Sequence, residues 1–387
     1  MNPFIVNTPG KVIFGNNSLE NAGRIARDFG TKAFLLCDDF SLNHKDIFEK
    51  LKNKLEESGV SYTREQIYGH KQVLPSLIKE YDFKDTELII ALGGENVINT
   101  AKALKEILSE AGERKGVLFG GRGRKTIPLL AMPAGLFASS AVTNQMYTID
   151  YEAEKYYSVS QKDIYLPDVV IADPKICFIE KNRDLRFFIL RLMGGIIETY
   201  VAVDGCAFSE LLAGEGVKYL VSCIAEMLSD KGDISEDFSE RLCYASLLAG
   251  FAEGYSQRGV LRGMAQEIIS RYAVDVNEVY GALIYEATLT NMRRVQFFES
   301  YEETSLKYAG LGSVFSGIDY SYDKKDVLMR AVTEYLSNLT ESFGAVRLKD
   351  LGIEEEDIYL ISESAKQFAN PAQLANSEID GILKNSY

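Results

Sequence analysis

A glycine pair between an apolar run and a helical stretch is the first candidate for a ligand-binding turn. Leu88 to Leu92 is unbroken and apolar, Gly93-Gly94 ends the run, and from Val97 the apolar residues take up helical spacing. A strand, a glycine turn and a helix N-terminus leave backbone N–H groups at the positive end of a helix dipole, which suits a phosphate. A tight connection that binds no ligand is the alternative, and this stretch alone slightly favours it.

An acidic pair after another apolar run is a second candidate for ligand binding. Lys32 to Cys37 reads as a buried strand, and Asp38 and Asp39 follow it directly. Open α/β sheets bind ligands at the carboxyl ends of their strands, where an acidic residue can hold a ribose. The pair could equally cap the loop that follows, and the sequence leaves both roles open.

Predicted helices and strands alternate along the segments that carry these residues. Helical spacing at 45–57 and 74–81 alternates with strand signals near residues 60 and 88, which is the rhythm of a parallel sheet. Near the N-terminus, Ser18 is a candidate helix cap.

Beyond Pro167 the pattern of apolar residues changes, and helical periodicity runs through most of the remaining chain. The sequence therefore predicts an α/β domain over residues 1–173 and an all-helical domain over residues 174–387.

Composition bounds the class of protein. The chain has 387 residues, a net charge of −14, 46% hydrophobic and 25% charged residues, as expected for a globular protein with two cores. The negative charge argues against nucleic acid and anionic membranes as partners, and no apolar run approaches the roughly 20 residues of a membrane helix. The N-terminus also lacks the order of a signal peptide.

The numbers of cysteines and histidines indicate the cellular compartment and limit the kinds of metal site that the chain could form. Five widely spaced cysteines in apolar surroundings predict reduced thiols in a cytoplasmic protein. The only histidines are His44 and His70, so a site built from several histidines is excluded.

Seven segments, taken in order, carry a resemblance to a known family. They are TPGKVIFGNNSL, LLCDD, GGENVINTAKAL, PLLAMPAGLFASSAVT, LPDVVIADPKI, IIETYVA and LGIEEEDIYLISESAKQFANPAQL. They resemble the iron-containing alcohol dehydrogenase family of the dehydroquinate-synthase-like superfamily, and the first resembles its N-terminal hairpin. The resemblance implies a Rossmann-like nucleotide-binding α/β domain, a helical domain after it, and catalysis in the cleft between them.

The resemblance implies hydride exchange between NAD or NADP and a small alcohol or carbonyl compound. In the family, a divalent metal held by one Asp and three His polarises the substrate oxygen. Alignment on IIETYVA places the Asp at Arg191 and the first His at Gly195, and alignment on LRGMAQ places the second His at Arg262. The third His falls near Val276. The resemblance therefore implies that the metal site is lost and that no metal is used.

The resemblance also implies which residues bind the cofactor, and some of these residues differ from the family pattern. The cofactor-binding residues it implies are Asp38, Gly93, Gly94, Glu95, Asn96, Ser140 and Thr143. Glu95 replaces the third glycine of the family turn, and two unit charges about 4 Å apart cost on the order of 4 kcal/mol at an effective dielectric of 20. Phe137 replaces a glycine that lets the cofactor approach. Nucleotide binding therefore stays open.

Two of the four former ligand positions became arginine. Arg191 and Arg262, together with Arg258, could form an anion pocket that holds a carboxylate or phosphate or polarises a carbonyl, which makes the first two the predicted catalytic residues. Alternatively, acidic neighbours such as Glu198, Glu253 and Glu267 neutralise them in structural ion pairs.

Three functions remain open at this point. The protein is a metal-independent oxidoreductase acting on a small molecule, with an anionic substrate as one option; or a pseudoenzyme; or a non-redox protein that binds an acidic or phosphorylated ligand. The fold, Gly93-Gly94 and Asp38 favour the oxidoreductase, which is the prediction. The N-terminal hairpin, through which the family often assembles, predicts a homodimer.

Overall fold

The computed structural model describes residues 4–67, 74–114, 126–135, 138–150, 155–159, 162–176, 183–229, 234–235, 237–256 and 259–387. It consists of two compact units. The α/β unit comprises Val6–Ala153 and Tyr157–Ile179, and the helical unit comprises Met1–Ile5, Glu154–Tyr156 and Glu180–Tyr387. The predicted fold class is confirmed, and the predicted boundary at residue 173 stays a prediction.

A six-stranded parallel sheet forms the centre of the α/β unit. The strands of the chain, in order, are β1 (Val12–Phe14), β2 (Lys32–Asp38), β3 (Ser61–Ile67), β4 (Leu88–Gly93), β5 (Leu129–Pro133), β6 (Met146–Asp150), β7 (Lys155–Val159) and β8 (Val169–Ala172). The sheet has the order β1-β8-β5-β4-β2-β3, and β6 and β7 form a separate pair. Because β4, β5 and β8 are buried along their whole length, they read as continuous apolar runs.

Helices follow the strands of this sheet, as the alternating pattern predicts. They are α1 (Ala22–Phe29), α2 (Asp39–Asn43), α3 (Lys45–Glu57), α4 (Leu74–Glu80) and α5 (Glu95–Arg114). Helices α1 and α3 bury their apolar sides against Leu35, Ile90 and Leu130 of the strands. The two helices approach closely, since a Cβ atom at Gly23 would lie 1.8 Å from the Lys54 carbonyl oxygen.

The predicted N-terminal hairpin is wrong for the described residues. Residues 4–11 form no strand, and β1 pairs with β8 in parallel. The backbone groups that flank β1 bind β8 instead: the Lys11 carbonyl oxygen accepts the Val170 N–H at 2.8 Å, and the Gly15 N–H donates to the Ala172 carbonyl oxygen at 3.2 Å. The buried Asp173 carboxylate accepts the N–H groups of Asn17 and Leu19 at 3.0 Å each and so holds a 3-10 helix after β1. That helix starts at Ser18 with Asn17 as its N-cap, so the prediction of Ser18 as a cap is wrong too.

From residue 183 onward, the described residues form helices and no strand. These are α6 (Arg183–Val201), α7 (Ala207–Met227), α8 (Phe238–Glu253), α9 (Val260–Arg271), α10 (Val276–Phe297), α11 (Glu302–Ser316), α12 (Lys325–Phe343), α13 (Ile358–Ser364) and α14 (Asn376–Asn385). Almost every residue from Phe187 to Thr199 of α6 is buried, so α6 is the central helix of the unit. None of the helices described is sufficiently long and apolar to cross a bilayer.

The described cysteines are buried free thiols, as predicted. They are Cys37, Cys206, Cys223 and Cys243. Burial raises the pKa of Cys37 and of Cys223 to about 12, which leaves little reactive thiolate at neutral pH.

Candidate functional site

The turn between β4 and α5 is built as the glycine pair predicts. A Cβ atom at Gly93 would lie 2.6 Å from Val97 Cγ2 and 2.7 Å from Asp38 Oδ2, so only glycine fits. The Gly94 N–H donates to Asp38 Oδ2 at 2.7 Å, and α5 begins at the next residue, Glu95. A backbone donor that the sequence offers to a phosphate is therefore bound to a carboxylate of the protein.

Asp38 makes the contacts of a cap. Its Oδ1 accepts the Ser41 N–H at 2.9 Å and the Ser41 hydroxyl at 2.8 Å, which holds the first turn of α2. The half-exposed carboxylate keeps lone pairs for a ribose hydroxyl, so the ribose-binding role stays a prediction. The carboxylate repels a pyrophosphate that would compete for the Gly94 N–H, so this turn fits a ribose better than a pyrophosphate.

Lys102 connects α5 to the second predicted cofactor loop. Its side chain is fully buried, and Nζ donates to the carbonyl oxygens of Ser140 at 2.7 Å, Thr143 at 2.8 Å and Gln145 at 2.8 Å. Thr143 Oγ1 lies 3.3 Å from the same nitrogen. Burial lowers the pKa of Lys102 to about 7, opposed by the charge of Glu95.

This connection fixes the loop in which Ser140 and Thr143 were predicted. Both residues are buried, and the Thr143 hydroxyl lies among contacts internal to the loop. Phe137 and Arg258 lie outside the described residues. Sequence reasoning missed Lys102, although a lysine among the apolar residues Ala101, Ala103 and Leu104 was an available signal.

In the helical unit, Arg191 lies against the start of α10. Its Nη1 donates to Asn277 Oδ1 at 3.4 Å, and its guanidinium carbon lies 5.9 Å from the centre of the Tyr280 ring. Val276 is the first residue of α10. The contact therefore brings Arg191, on α6, to the start of α10, near the last of the four positions that the resemblance aligns with metal ligands.

The start of α9 is held by the same face of α6. Glu198, two turns beyond Arg191, accepts the N–H groups of Leu261 at 2.8 Å and Arg262 at 3.4 Å. A carboxylate at a helix N-terminus satisfies otherwise unpaired donors and opposes the helix dipole. Glu198 thus fixes the backbone of Arg262, whose side chain is 8% exposed.

The buried Asn370 completes this attachment of α9. Its Oδ1 accepts the Val260 N–H at 3.0 Å, and its Nδ2 donates to Asn291 Oδ1 at 2.6 Å. A Cβ atom at Gly259 would lie 2.7 Å from both Asn370 Oδ1 and Glu198 Oε1. The chain therefore needs glycine just before α9.

The donor set at the four positions does not fit a divalent metal. Arg191 and Arg262 are cations without an acceptor lone pair, and Gly195 and Val276 have no ligating side chain. A Cβ atom at Gly195 would lie 3.1 Å from Glu253 Oε1, so a carboxylate stands beside this position. Nowhere in the described ranges do three His, Cys, Asp or Glu residues cluster as a metal site.

Two of the carboxylates expected to neutralise Arg191 and Arg262 contact other groups. Glu267 lies 3.7 Å from Arg271, one turn along α9, and Glu198 binds backbone N–H groups as described above. These contacts leave both interpretations of Arg191 and Arg262, the anion pocket and the structural ion pair, as predictions.

Two family models together match most of the chain. The model described as iron-containing alcohol dehydrogenase matches residues 9–174. The model described as Fe-containing alcohol dehydrogenase family, C-terminal, matches residues 191–387.

Characterised relatives match nearly full length at low identity. The chain is 22% identical over 386 residues to alcohol dehydrogenase 4 of Saccharomyces cerevisiae (strain YJM789), covering 97% of this chain and 96% of the relative. It is 22% identical over 409 residues to NADH-dependent butanol dehydrogenase B of Clostridium acetobutylicum, covering 99% of each. A crystal structure of 1,3-propanediol oxidoreductase superposes with a TM-score of 0.83 at 18% identity over 100% of both chains, which shows a common fold.

The contact between Glu198 and α9 yields a prediction. Glu198→Gln places an amide N–H₂ group beside two N–H donors, so we expect the free energy of unfolding to fall by about 2 kcal/mol. Hydrogen exchange of the Leu261 and Arg262 amides should become faster. The matched control is Glu215→Gln, which changes an exposed glutamate paired with Lys218 and should alter neither quantity. Unchanged exchange in the Glu198 variant would show that the carboxylate does not hold α9.

Proposed function

This chain belongs to the iron-containing alcohol dehydrogenase family, and from that premise we propose that it is an oxidoreductase that works without a bound metal. It exchanges hydride between NAD(P) and a small alcohol or carbonyl compound. Both family models and the matched relatives support an alcohol-dehydrogenase-like oxidoreductase. The metal-free part is supported by the residues at the four positions that the resemblance aligns with metal ligands, because Arg191, Gly195, Arg262 and Val276 offer no ligating side chain.

The two guanidinium groups supply the charge that a metal would otherwise supply. When hydride reaches a carbonyl carbon, negative charge develops on the oxygen, and a fixed cation with several N–H donors stabilises that charge. Arg191 is oriented by Asn277 and Tyr280, and Arg262 by the attachment of α9 to Glu198. A substrate with its own carboxylate or phosphate group would engage the second guanidinium, which favours anionic carbonyl compounds.

The nucleotide belongs to the α/β unit in this proposal. Asp38 accepts ribose hydroxyls, and its charge disfavours the 2′-phosphate of NADP, so NAD is the expected form. When bound, the nicotinamide supplies or accepts the hydride. The Ser140 and Thr143 loop, held by Lys102, forms the second wall for the nucleotide.

A non-redox function is the second candidate, and one observation favours it. The Gly94 N–H is bound by Asp38, and Glu95 follows it, so two carboxylates stand where a pyrophosphate would bind. If they exclude nucleotides, the arginines of the helical unit hold an acidic or phosphorylated ligand without redox chemistry, or the chain is a pseudoenzyme.

The proposal extends to assembly and compartment. We expect a homodimer that acts on a small-molecule substrate. The N-terminal hairpin does not support the homodimer, because the described residues form no such hairpin. The net charge of −14 disfavours nucleic acids and anionic membranes as partners. The buried free thiols of the described residues support a reducing compartment, and we expect the cytoplasm.

Calorimetric titration with NADH and NADPH tests whether the α/β unit binds a nucleotide. We expect NADH to bind with a dissociation constant of about 10 μM, equivalent to about 7 kcal/mol, in buffer containing a metal chelator. Glu95→Gln should tighten binding about tenfold or more by removing one carboxylate at the turn. No heat change up to millimolar NADH in either protein would reject the oxidoreductase and leave the non-redox function.

Substitution of the two arginines tests their role in the helical unit. In Arg191→Met and Arg262→Met, we expect the kcat/KM for a carboxylate-bearing aldehyde with NADH to fall about 100-fold or more, since each change removes a donor to the developing oxyanion. The control Arg271→Met removes an arginine at the far end of α9 that pairs with Glu267, and it should keep full activity. Equal loss in all three variants, or no loss in the first two, would assign the arginines a structural role.

A further inference from the structure

The surroundings of the Lys102 nitrogen resemble those of a bound ion more than those of a salt bridge. In the part of the chain that is described, Nζ contacts four oxygen atoms, three of them backbone carbonyls at 2.7 to 2.8 Å, and no carboxylate. Three short contacts match the three N–H donors of an ammonium group. Carbonyl oxygens also replace the hydration shell of potassium in proteins. The oxygen atoms therefore form a site for a small monovalent cation.

All of these oxygen atoms come from one short segment. Ser140 belongs to the 3-10 helix Ala138–Val142, and Thr143 and Gln145 lie within three residues after its end. The segment wraps round the nitrogen. Several carbonyl dipoles that converge on one point repel each other unless a cation lies at their centre. The conformation of the segment therefore depends on the positive charge, which Lys102 brings from the middle of α5.

We propose that residues 140–145 form a monovalent-cation site that the chain fills with its own lysine, so that Lys102 is the positioning residue of this loop. We call this set of oxygen atoms the carbonyl cage. The cage itself is independent of the proposed function. Only an effect of the cage on nucleotide binding would rest on that function, because Ser140 and Thr143 line a cofactor only if one binds.

Removal of the lysine should convert the cage into a site for free cations. Lys102→Ala deletes the ammonium group and the stem, which opens space for a cation and water. In tetramethylammonium chloride, whose cation is too large for the cage, we expect this variant to melt about 5 °C below wild type. A tenfold increase in KCl or NH₄Cl should raise its melting temperature by about 2 °C, since a ligand bound only by the folded state stabilises it.

Two controls separate the cage from general salt effects. Lys102→Met keeps the apolar stem and blocks the cage without a charge, so it should be destabilised and insensitive to the choice of cation. Lys162→Ala removes an exposed lysine paired with Glu106 and should behave like wild type in all three salts. Equal melting temperatures of Lys102→Ala in potassium, ammonium and tetramethylammonium salts would overturn the proposal.

A measurement on the wild-type protein covers the case in which Lys102→Ala does not fold. With ¹⁵N-labelled lysine, a slowly exchanging ammonium signal is expected at pH 6, since the buried group donates three hydrogen bonds, and Lys102→Met should lack it. Its absence from the wild-type spectrum would contradict the proposal. If the cation dependence is found and no protein binds NADH in the same salts, the cage stands and the oxidoreductase function fails.

Discussion

Buried charged side chains that bind backbone groups hold distant segments of this chain together. Burying a charge is costly unless hydrogen bonds replace its hydration. Asp173 binds the N–H groups that follow β1, Lys102 binds the carbonyl groups of the second loop, and Glu198 binds the N-terminus of α9. Each contact joins segments far apart in sequence, so the position of each candidate site depends on one of these charges.

The same principle explains the state of the two candidate sites. At the β4–α5 turn, a carboxylate already satisfies the N–H of Gly94, so a nucleotide must compete with Asp38 for that donor. In the helical unit, positions that bear metal ligands in the family bear Arg191 and Arg262, and a guanidinium supplies charge without coordination. In the proposed function these two guanidinium groups take the place of a metal ion. Glu198, Asn370 and Gly259 fix the helix that carries Arg262.

Local pattern sufficed for much of the fold. The apolar run before Gly93 predicts β4, and the amphipathic spacing at 45–57 predicts α3 with its observed bounds, because burial decides the period of apolar residues. The N-terminal hairpin was wrong because β1 pairs in parallel with the distant strand β8. The Ser18 cap was wrong because Asp173, about 155 residues away, binds the N–H groups on either side of Ser18. Such contacts depend on tertiary neighbours and leave no local pattern.

The candidate site was predictable to a similar degree. The identity of the residues at the former metal positions follows from the resemblance alone. The contacts of Asp38 with Ser41 and Gly94, and those of Lys102 with three carbonyl groups, do not, since residue type says nothing about which backbone group a long side chain reaches.

In the proposed function, Arg191 and Arg262 supply the charge that a bound metal supplies elsewhere in the family, and the metal content of the purified protein decides whether this is so. Wild-type protein should contain less than about 0.1 divalent metal ion per chain after exposure to Fe²⁺ and Zn²⁺, because its donor set offers no ligand. The combined variant Arg191→Asp, Gly195→His, Arg262→His and Val276→His should bind one ion per chain. A stoichiometric metal in the wild type, lost on replacement of residues at these positions, would contradict the account.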